Sequence, residues 1–296
     1  MKRGTRDRLI EYSFIAPMAI FLVAFTAYPV YLNVRISFQD LRAVNLVHGD
    51  VSWVGLANYR AVWGDPIVHA AVRHMMFFTA GSLLFQIPLG LGLALYFKRS
   101  FPGARWMRGS FLLAWTMPVV VVGAIFRWFF DSQFGVINWL LRTLGIIEQN
   151  VAWLTDVHLV LPTLTAINVW LGIPFNMALF LTGLQALPED VFEAATVEGA
   201  SPSQQLWHIT LPLLRPTIIA VLLLGLIFTL RQFDLVWAMT QGGPFDASQL
   251  PSTLAYRRVF QQFEFGEGGA ILNLLALLLA AIGILYVWSI HRERAQ

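Results

Sequence analysis

The chain has 296 residues, of which 57% are hydrophobic and only 12% charged. Soluble domains are about 25% charged, and a soluble core has no room for this much apolar surface, so the composition excludes an ordinary soluble protein and points to an all-α, polytopic membrane protein. A net charge of +3 needs no nucleic-acid partner to explain it, and the absence of cysteine excludes a disulfide framework or a thiolate metal site.

Residues 13–36 form the first predicted span, with an uncharged run over 14–34 that is long enough to cross a bilayer. A cleaved signal peptide competes with this reading; the length of the run and an interfacial end at Tyr28, Pro29 and Tyr31 favour a span. A polar loop at 37–74 leads to the second span, 75–97, in which Pro88, Gly90 and Gly92 suit close helix approach. The third span covers about 109–130, with its uncharged run at 109–126 and Pro118 in its middle, and a mixed loop at 127–156 overlaps its end. The fourth, 157–187, lacks Asp, Glu, Lys and Arg, and its length predicts a tilt or a break near Gly172 and Pro174. The fifth, 214–240, is interrupted by Arg231 and Asp234; a loop rich in Gly and Gln at 241–267 precedes the sixth, 268–290.

Lys and Arg set the expected orientation. Segments 1–11, 98–108, 188–216 and 291–296 hold 11 of them in 57 residues, against 7 in 95 residues for the loops at 37–74, 127–156 and 241–267. The denser side faces the cytoplasm. Both termini and the segment at 188–213 are therefore expected to be cytoplasmic.

That segment is the one long mixed-polarity stretch between two apolar runs. Pro188 is placed at the first helical position, with Glu189 and Asp190 in the first turn, where acids suit the helix dipole. Gly199 permits a sharp turn, and Ser201-Pro202-Ser203-Gln204 restarts the chain with a capping box. Leu206, Ile209 and Leu213 carry an apolar stripe, and Pro212 and Pro216 bend or break the helix around them. Such a helix–Gly–helix knob suits docking to a partner protein; an amphipathic loop lying on the membrane surface is the other physical reading.

The residues themselves closely resemble a known pattern. Glu193-Ala194-Ala195, Glu198-Gly199-Ala200, Ile209-Thr210-Leu211-Pro212 and Pro216 resemble the Glu-Ala-Ala ("EAA") coupling motif of ATP-binding-cassette (ABC) importer permeases. Glu198 departs from the usual Asp of that family and Leu206 from a common Phe. The likeness extends over nearly the whole chain and points to the carbohydrate branch, of maltose and glycerol-3-phosphate type. Gly55-Leu56-Ala57-Asn58-Tyr59, the run at 89–95, Gly135-Val136-Ile137-Asn138, and Phe233-Asp234-Leu235 with Met239-Thr240-Gln241-Gly242-Gly243-Pro244 all look like segments of that branch; Met239 and Gln241 are departures.

The resemblance implies a type I ABC importer permease fold: a single permease domain over 1–296, six spans, and a cytoplasmic coupling loop at 188–213. It implies a second homologous permease, two ABC ATPase subunits carrying ATP and Mg, an extracytoplasmic solute-binding protein, and a sugar or sugar-like solute. No cofactor is expected in this chain itself. Its only lysines, Lys2 and Lys98, lie outside any phosphate-binding G-x-x-x-x-G-K-[ST] loop, so the ATP belongs to another subunit. For docking, the matching positions are Glu193, Ala194, Ala195, Glu198, Gly199, Ala200, Leu206 and Trp207, with Glu193 facing a basic group of the ATPase and Leu206 and Trp207 inserting as apolar anchors.

For the solute, Arg231 and Asp234 are three residues apart and expected on one helix face. Arg231 lies roughly 22 Å along the fifth span, past the midplane, where charges are costly and face a cavity or one another. A structural ion pair or an early end of the helix would also place them there. Gln232 lies between them. Asn168, Trp170 and Asn176 on the fourth span and Asn273 on the sixth complete the candidates, because sugar sites combine an aromatic face with amides. The six histidines form no metal-ligand pair, and no paired carboxylates or histidines within the spans support an embedded enzyme. An ion-coupled secondary transporter is the alternative; it would call for inverted repeats and intramembrane carboxylates, of which only Asp234 is found.

Overall fold

The computed structural model describes residues 5–99 and 101–294; Lys2 and Arg3, counted above for orientation, lie outside the described residues. Among these the chain is helical, with isolated bridges at Gln39–Trp53 and Arg42–Glu264 and no strand. Helix α1 (Thr5–Leu22) runs through a π turn (Val23–Ala27) into α2 (Tyr28–Ser37), and two short helices come next, α3 (Ala43–His48) and α4 (Ala57–Gly64). The long α5 (Pro66–Lys98) begins within the expected loop, with Pro66 at its first position, where the missing N–H costs nothing.

Helices α6 (Ala104–Thr116) and α7 (Val119–Phe129) meet at 95°, so the third predicted span is broken. The cause is local: Met117, just before Pro118, takes an extended ψ of 138° because the proline ring disfavours the helical region there. Helix α8 (Val136–Thr143) leads to α9 (Val160–Gln185), which runs unbroken through Gly172 and Pro174, so the break expected near them does not occur.

The chain then forms α10 (Glu189–Val197), α11 (Pro202–Gln205), a π turn (Leu206–Thr210), α12 (Leu211–Leu213) and α13 (Arg215–Leu230), with a 67° bend at Leu214. Helix α13 ends at Leu230, ten residues short of the expected end of the fifth span, and α14 (Asp234–Met239) begins afresh. The expected loop at 241–267 contains a further helix, α15 (Pro251–Phe260), and α16 (Phe265–Arg294) completes the order. By length and composition four described helices can cross a membrane, or six if each bent pair counts as one span.

The chain divides into two compact units: Met1–Asp65 with Ala255–Leu274, and Pro66–Leu254 with Leu275–Gln296. In the first, a set of buried polar groups is closely bonded. Asn273 donates to Ser37 Oγ at 2.9 Å and Tyr59 Oη at 3.0 Å and accepts from Asn33 at 2.6 Å; Asn58 donates to the Ser37 and Gln39 carbonyls, both at 2.9 Å. Arg258 pairs with Asp65, with Glu264 at 2.6 Å and with Glu267 at 3.5 Å. Burial works against its charge, but the Glu264 hydrogen bond and the surrounding carboxylates outweigh it and hold its pKa above the ordinary arginine value.

In the second unit α5 and α9 cross at very short range. A Cβ on Gly90 would lie 2.7 Å from Asn176 Cβ, and one on Gly172 would lie 2.4 Å from the Gln86 amide. Two apolar cores flank this crossing, one around Phe78, Leu164, Ile167 and Leu235, the other around Phe97, Met177, Phe180 and Leu214. Gly92, by contrast, has nothing within 4 Å of such a Cβ.

These differences predict that Gly90→Leu destabilises the folded chain by about 2 kcal/mol through overpacking, whereas Gly92→Leu leaves it unchanged; thermal unfolding in detergent reads both. Arg258→Met leaves three carboxylates facing one another and is expected to cost about 3 kcal/mol in the same measurement.

Candidate functional site

The face of α9 that meets α5 is set by helical spacing. Asn168, Gly172 and Asn176 recur at i, i+4 and i+8 and so lie one above another. Gln86 of α5 enters between them: its Nε2 donates to the Asn168 carbonyl at 2.7 Å. Asn168 Nδ2 donates in turn to Ser82 Oγ at 2.8 Å. Asn176 is 2% exposed, and its Nδ2 has no hydrogen-bond partner.

Above this face the chain opens a cavity of about 420 Å³, lined by Gln86, Asn168, Asn176, Arg231, Gln232 and Asp234 together with Trp115, Phe175 and Phe228. The aromatic side is continuous. Trp115 stacks on Phe175 at 5.1 Å, Phe175 meets Phe228 edge-on at 5.6 Å, and the Arg231 guanidinium lies 5.1 Å from the Phe228 ring centre.

The end of α13 at Leu230 changes the expected relation of Arg231 and Asp234. They do not share a helix face: Arg231 caps the C-terminus of α13, and Asp234 opens α14. No ion pair joins them among the described residues; Arg231 takes an aromatic partner instead. Each charge sits at the helix end that favours it, the cation at a C-terminus and the anion in a first turn. Both residues thus line the cavity without neutralising one another.

Five of the seven solute candidates from the sequence line this cavity: Asn168, Asn176, Arg231, Gln232 and Asp234. Two do not. Trp170 stands about 200° around α9 from Asn168; it packs edge-on against Phe126 at 5.1 Å and borders a separate apolar cleft with Leu89, Phe111 and Ile173. Asn273 is committed to Asn33, Ser37 and Tyr59 in the other unit. Sequence reasoning missed Gln86, Trp115, Phe175 and Phe228. Gln86 had a usable signal, as the one amide in the apolar run 75–97; the three aromatics are indistinguishable by type from packing residues. Among the described residues no group of His, Asp or Glu could hold a metal ion.

The segment at 188–213 is a tightly bonded knob. Pro188 is the residue before the first turn of α10, one place earlier than expected, and Glu189 and Asp190 occupy that turn. Gly199 takes φ +82°, a conformation that side chains with a Cβ rarely adopt, and the Ala200 N–H closes the turn onto the Ala195 carbonyl at 2.9 Å. Ser201 and Gln204 form the reciprocal capping box. Gln205 Nε2 then ties the two helices together, donating to Thr196 Oγ1 at 3.1 Å and to the Ala200 carbonyl at 3.3 Å. Lys98, at the end of α5, lies 4.7 Å over the Phe192 ring of α10. The knob exposes Glu193, Ala194, Glu198 and Gly199, with Ala195, Ala200 and Leu206 half-buried. Val197 and Trp207, 89% and 66% exposed, project from it as unpacked apolar side chains.

Comparisons with known proteins agree with this architecture. The chain is 30% identical over 287 residues to the sulfoquinovosyl glycerol transport system permease of Agrobacterium fabrum, covering 97% of this chain and 92% of that one. It is 31% identical over 282 residues to the trehalose/maltose transport system permease MalF of Thermococcus litoralis, covering 95% and 94%. Its fold matches a chain in the crystal structure of a bacterial ABC transporter involved in import of the acidic polysaccharide alginate, with a TM-score of 0.82 at 22% identity, covering 98% of this chain and 96% of that chain. Residues 86–292, which contain both the cavity and the knob, match the family described as binding-protein-dependent transport system inner membrane component, and the chain belongs to that family.

Proposed function

We propose that this chain is the transmembrane permease subunit of an ATP-driven ABC importer for a sugar or sugar-like solute, and that the cavity beside the α5–α9 crossing is its solute site. The observation that carries this reading is the cavity's composition: amide and charged groups on one side, a continuous aromatic wall on the other, within a chain of this family. Sugars present hydroxyls around a ring and C–H groups on its faces, and these two sides complement them. The relatives are named for glycosides, trehalose and maltose, which supports the same class of solute.

In this reading the chain crosses the membrane six times with both termini in the cytoplasm, the bent pair α6–α7 serving as the third span and α13 with α14 as the fifth. The Lys and Arg distribution supports that orientation. The knob at 188–213 docks one of two ABC ATPases, which bind ATP and Mg; Glu193 meets a basic group, and Trp207 with Leu206 enters an apolar pocket. A second, homologous permease completes the pathway, and an extracytoplasmic binding protein delivers the solute. The chain has no catalytic residues of its own.

Two outcomes test the proposal. Purified from its native membrane in mild detergent, the chain is expected to bring with it a P-loop ATPase and a second permease. Gly199→Pro, which cannot adopt φ +82°, should cut ATPase recovery at least tenfold. Recovery of the chain alone or with itself only, still active in transport, would revive the ion-coupled alternative. Uptake of trehalose, maltose and sulfoquinovosyl glycerol by cells carrying Asn176→Leu should fall about tenfold or more for whichever solute the native chain accepts, since a buried donor to the solute is lost. ATPase recovery should not change in that variant.

A further inference from the structure

None of residues 239–244, the stretch that carries the Gly-Gly-Pro signature, lines the solute cavity. Yet the loop they open returns to the cavity wall. Gly242 takes φ +91°, and a Cβ there would lie 1.4 Å from Gln249 Oε1. Gln249 is fully buried, with its side-chain amide atoms unpartnered and its carbonyl 3.2 Å from His74 Nδ1. Thr240 Oγ1 and Ser248 Oγ share a hydrogen bond at 2.8 Å, and Ser248 Oγ donates to the Gly243 carbonyl at 2.6 Å. Thr253 Oγ1 accepts from the Leu250 N–H at 3.0 Å and starts α15. The loop is thus folded on itself as one body, and the next hydroxyl leaves it: Ser252 Oγ donates to the Gln232 carbonyl at 2.6 Å.

Gln232 stands in the break between α13 and α14. Its N–H closes onto the Thr229 carbonyl at 3.1 Å, which tightens the end of α13, while the Trp237 N–H bonds the Phe233 carbonyl at 2.9 Å in the new helix. In an unbroken helix the Gln232 carbonyl would accept from residue 236. At membrane depth a carbonyl without a partner is costly, so in the absence of an outside donor the continuous helix is favoured. Ser252 is that outside donor.

We propose that Ser252 is a positioning residue of the solute cavity: by bonding the Gln232 carbonyl it holds the α13–α14 break, so that Arg231, Gln232 and Asp234 face the cavity, and the Gly242–Gln249 packing holds Ser252 in place. Without it the helix continues through 231–233 and turns those side chains along a different face. The functional meaning rests on the reading of this cavity as the solute site; the geometry does not.

The chain has no cysteine, so one introduced thiol is its sole reactive sulfhydryl. Gln232→Cys, in the full chain in its membrane, is labelled with a charged methanethiosulfonate reagent, with Phe134→Cys, at a site 79% exposed, as the control. Adding Ser252→Ala is expected to slow labelling at 232 about tenfold, the scale of one lost hydrogen bond, with no change at 134. Ser252→Thr should restore the rate, and Gly242→Ala should reproduce the fall. An unchanged rate at 232 in Ser252→Ala overturns the proposal. An equal fall at both thiols also overturns it, since Ser252 would then be a residue of general folding. Neither readout depends on uptake or ATP hydrolysis, so failure here is distinct from failure of the importer reading.

Discussion

Gly90 and Gly172 bring α5 and α9 so close that side chains of one helix occupy space over the backbone of the other. The polar wall of the second unit depends on that approach. It lets the Gln86 amide reach the Asn168 carbonyl, and it aligns Asn168 and Asn176 on one wall. In a bilayer, apolar side chains gain little by leaving lipid for protein, so association rests on close packing and on hydrogen bonds between helices. This crossing supplies both. It also fixes where the polar wall of the cavity stands, because the Gln86 and Asn168 amides are oriented by their bonds across the crossing.

The second constraint is backbone satisfaction. A helix that stops inside a membrane must find other partners for its terminal groups. In the proposed reading the α13–α14 break lies inside the membrane, and it meets this with a tightened turn at residue 232 and with a hydroxyl from Ser252. In return it places a cation at one helix end and an anion at the start of another, each stabilised where it stands and neither neutralising the other. A continuous span carrying the same residues would have paired Arg231 with Asp234 or hidden one of them. The knob at 188–213 uses the same economy at a surface: Gly199, the capping box and Gln205 occupy its polar groups internally and leave the apolar Val197 and Trp207 outward.

Much of this was legible in the sequence, and the failures have physical causes. The all-helical class came from apolar runs and sparse charge. The turn at Gly199 and the capping box at Ser201 came from residue type, because few residues tolerate or create those local geometries. Arg231 and Asp234 both line the cavity, but the sequence placed them on one helix face that the chain does not build; nothing local to 231–233 announces the break, since the partner of its carbonyl, Ser252, lies twenty residues on. Trp170 was chosen for its chemistry without regard to its angle around α9, and the 3.6-residue period alone separates it from Asn168 and Asn176. Asn273 was a reasonable amide in an apolar run, but its partners Asn33, Ser37 and Tyr59 come from distant sequence. The 95° bend at Pro118 could have been read from the X-Pro rule; Pro118 was noted in the middle of the third span, and no bend was drawn from it.

Docking of the knob at 188–213 on an ATPase is tested most directly by a photo-reactive phenylalanine analogue placed at Trp207 in intact membranes. Irradiation should yield one dominant adduct, between this chain and a subunit carrying a G-x-x-x-x-G-K-[ST] nucleotide loop, identified by mass spectrometry. Adducts with lipid alone would make the knob a membrane-surface element and contradict its role as the coupling site.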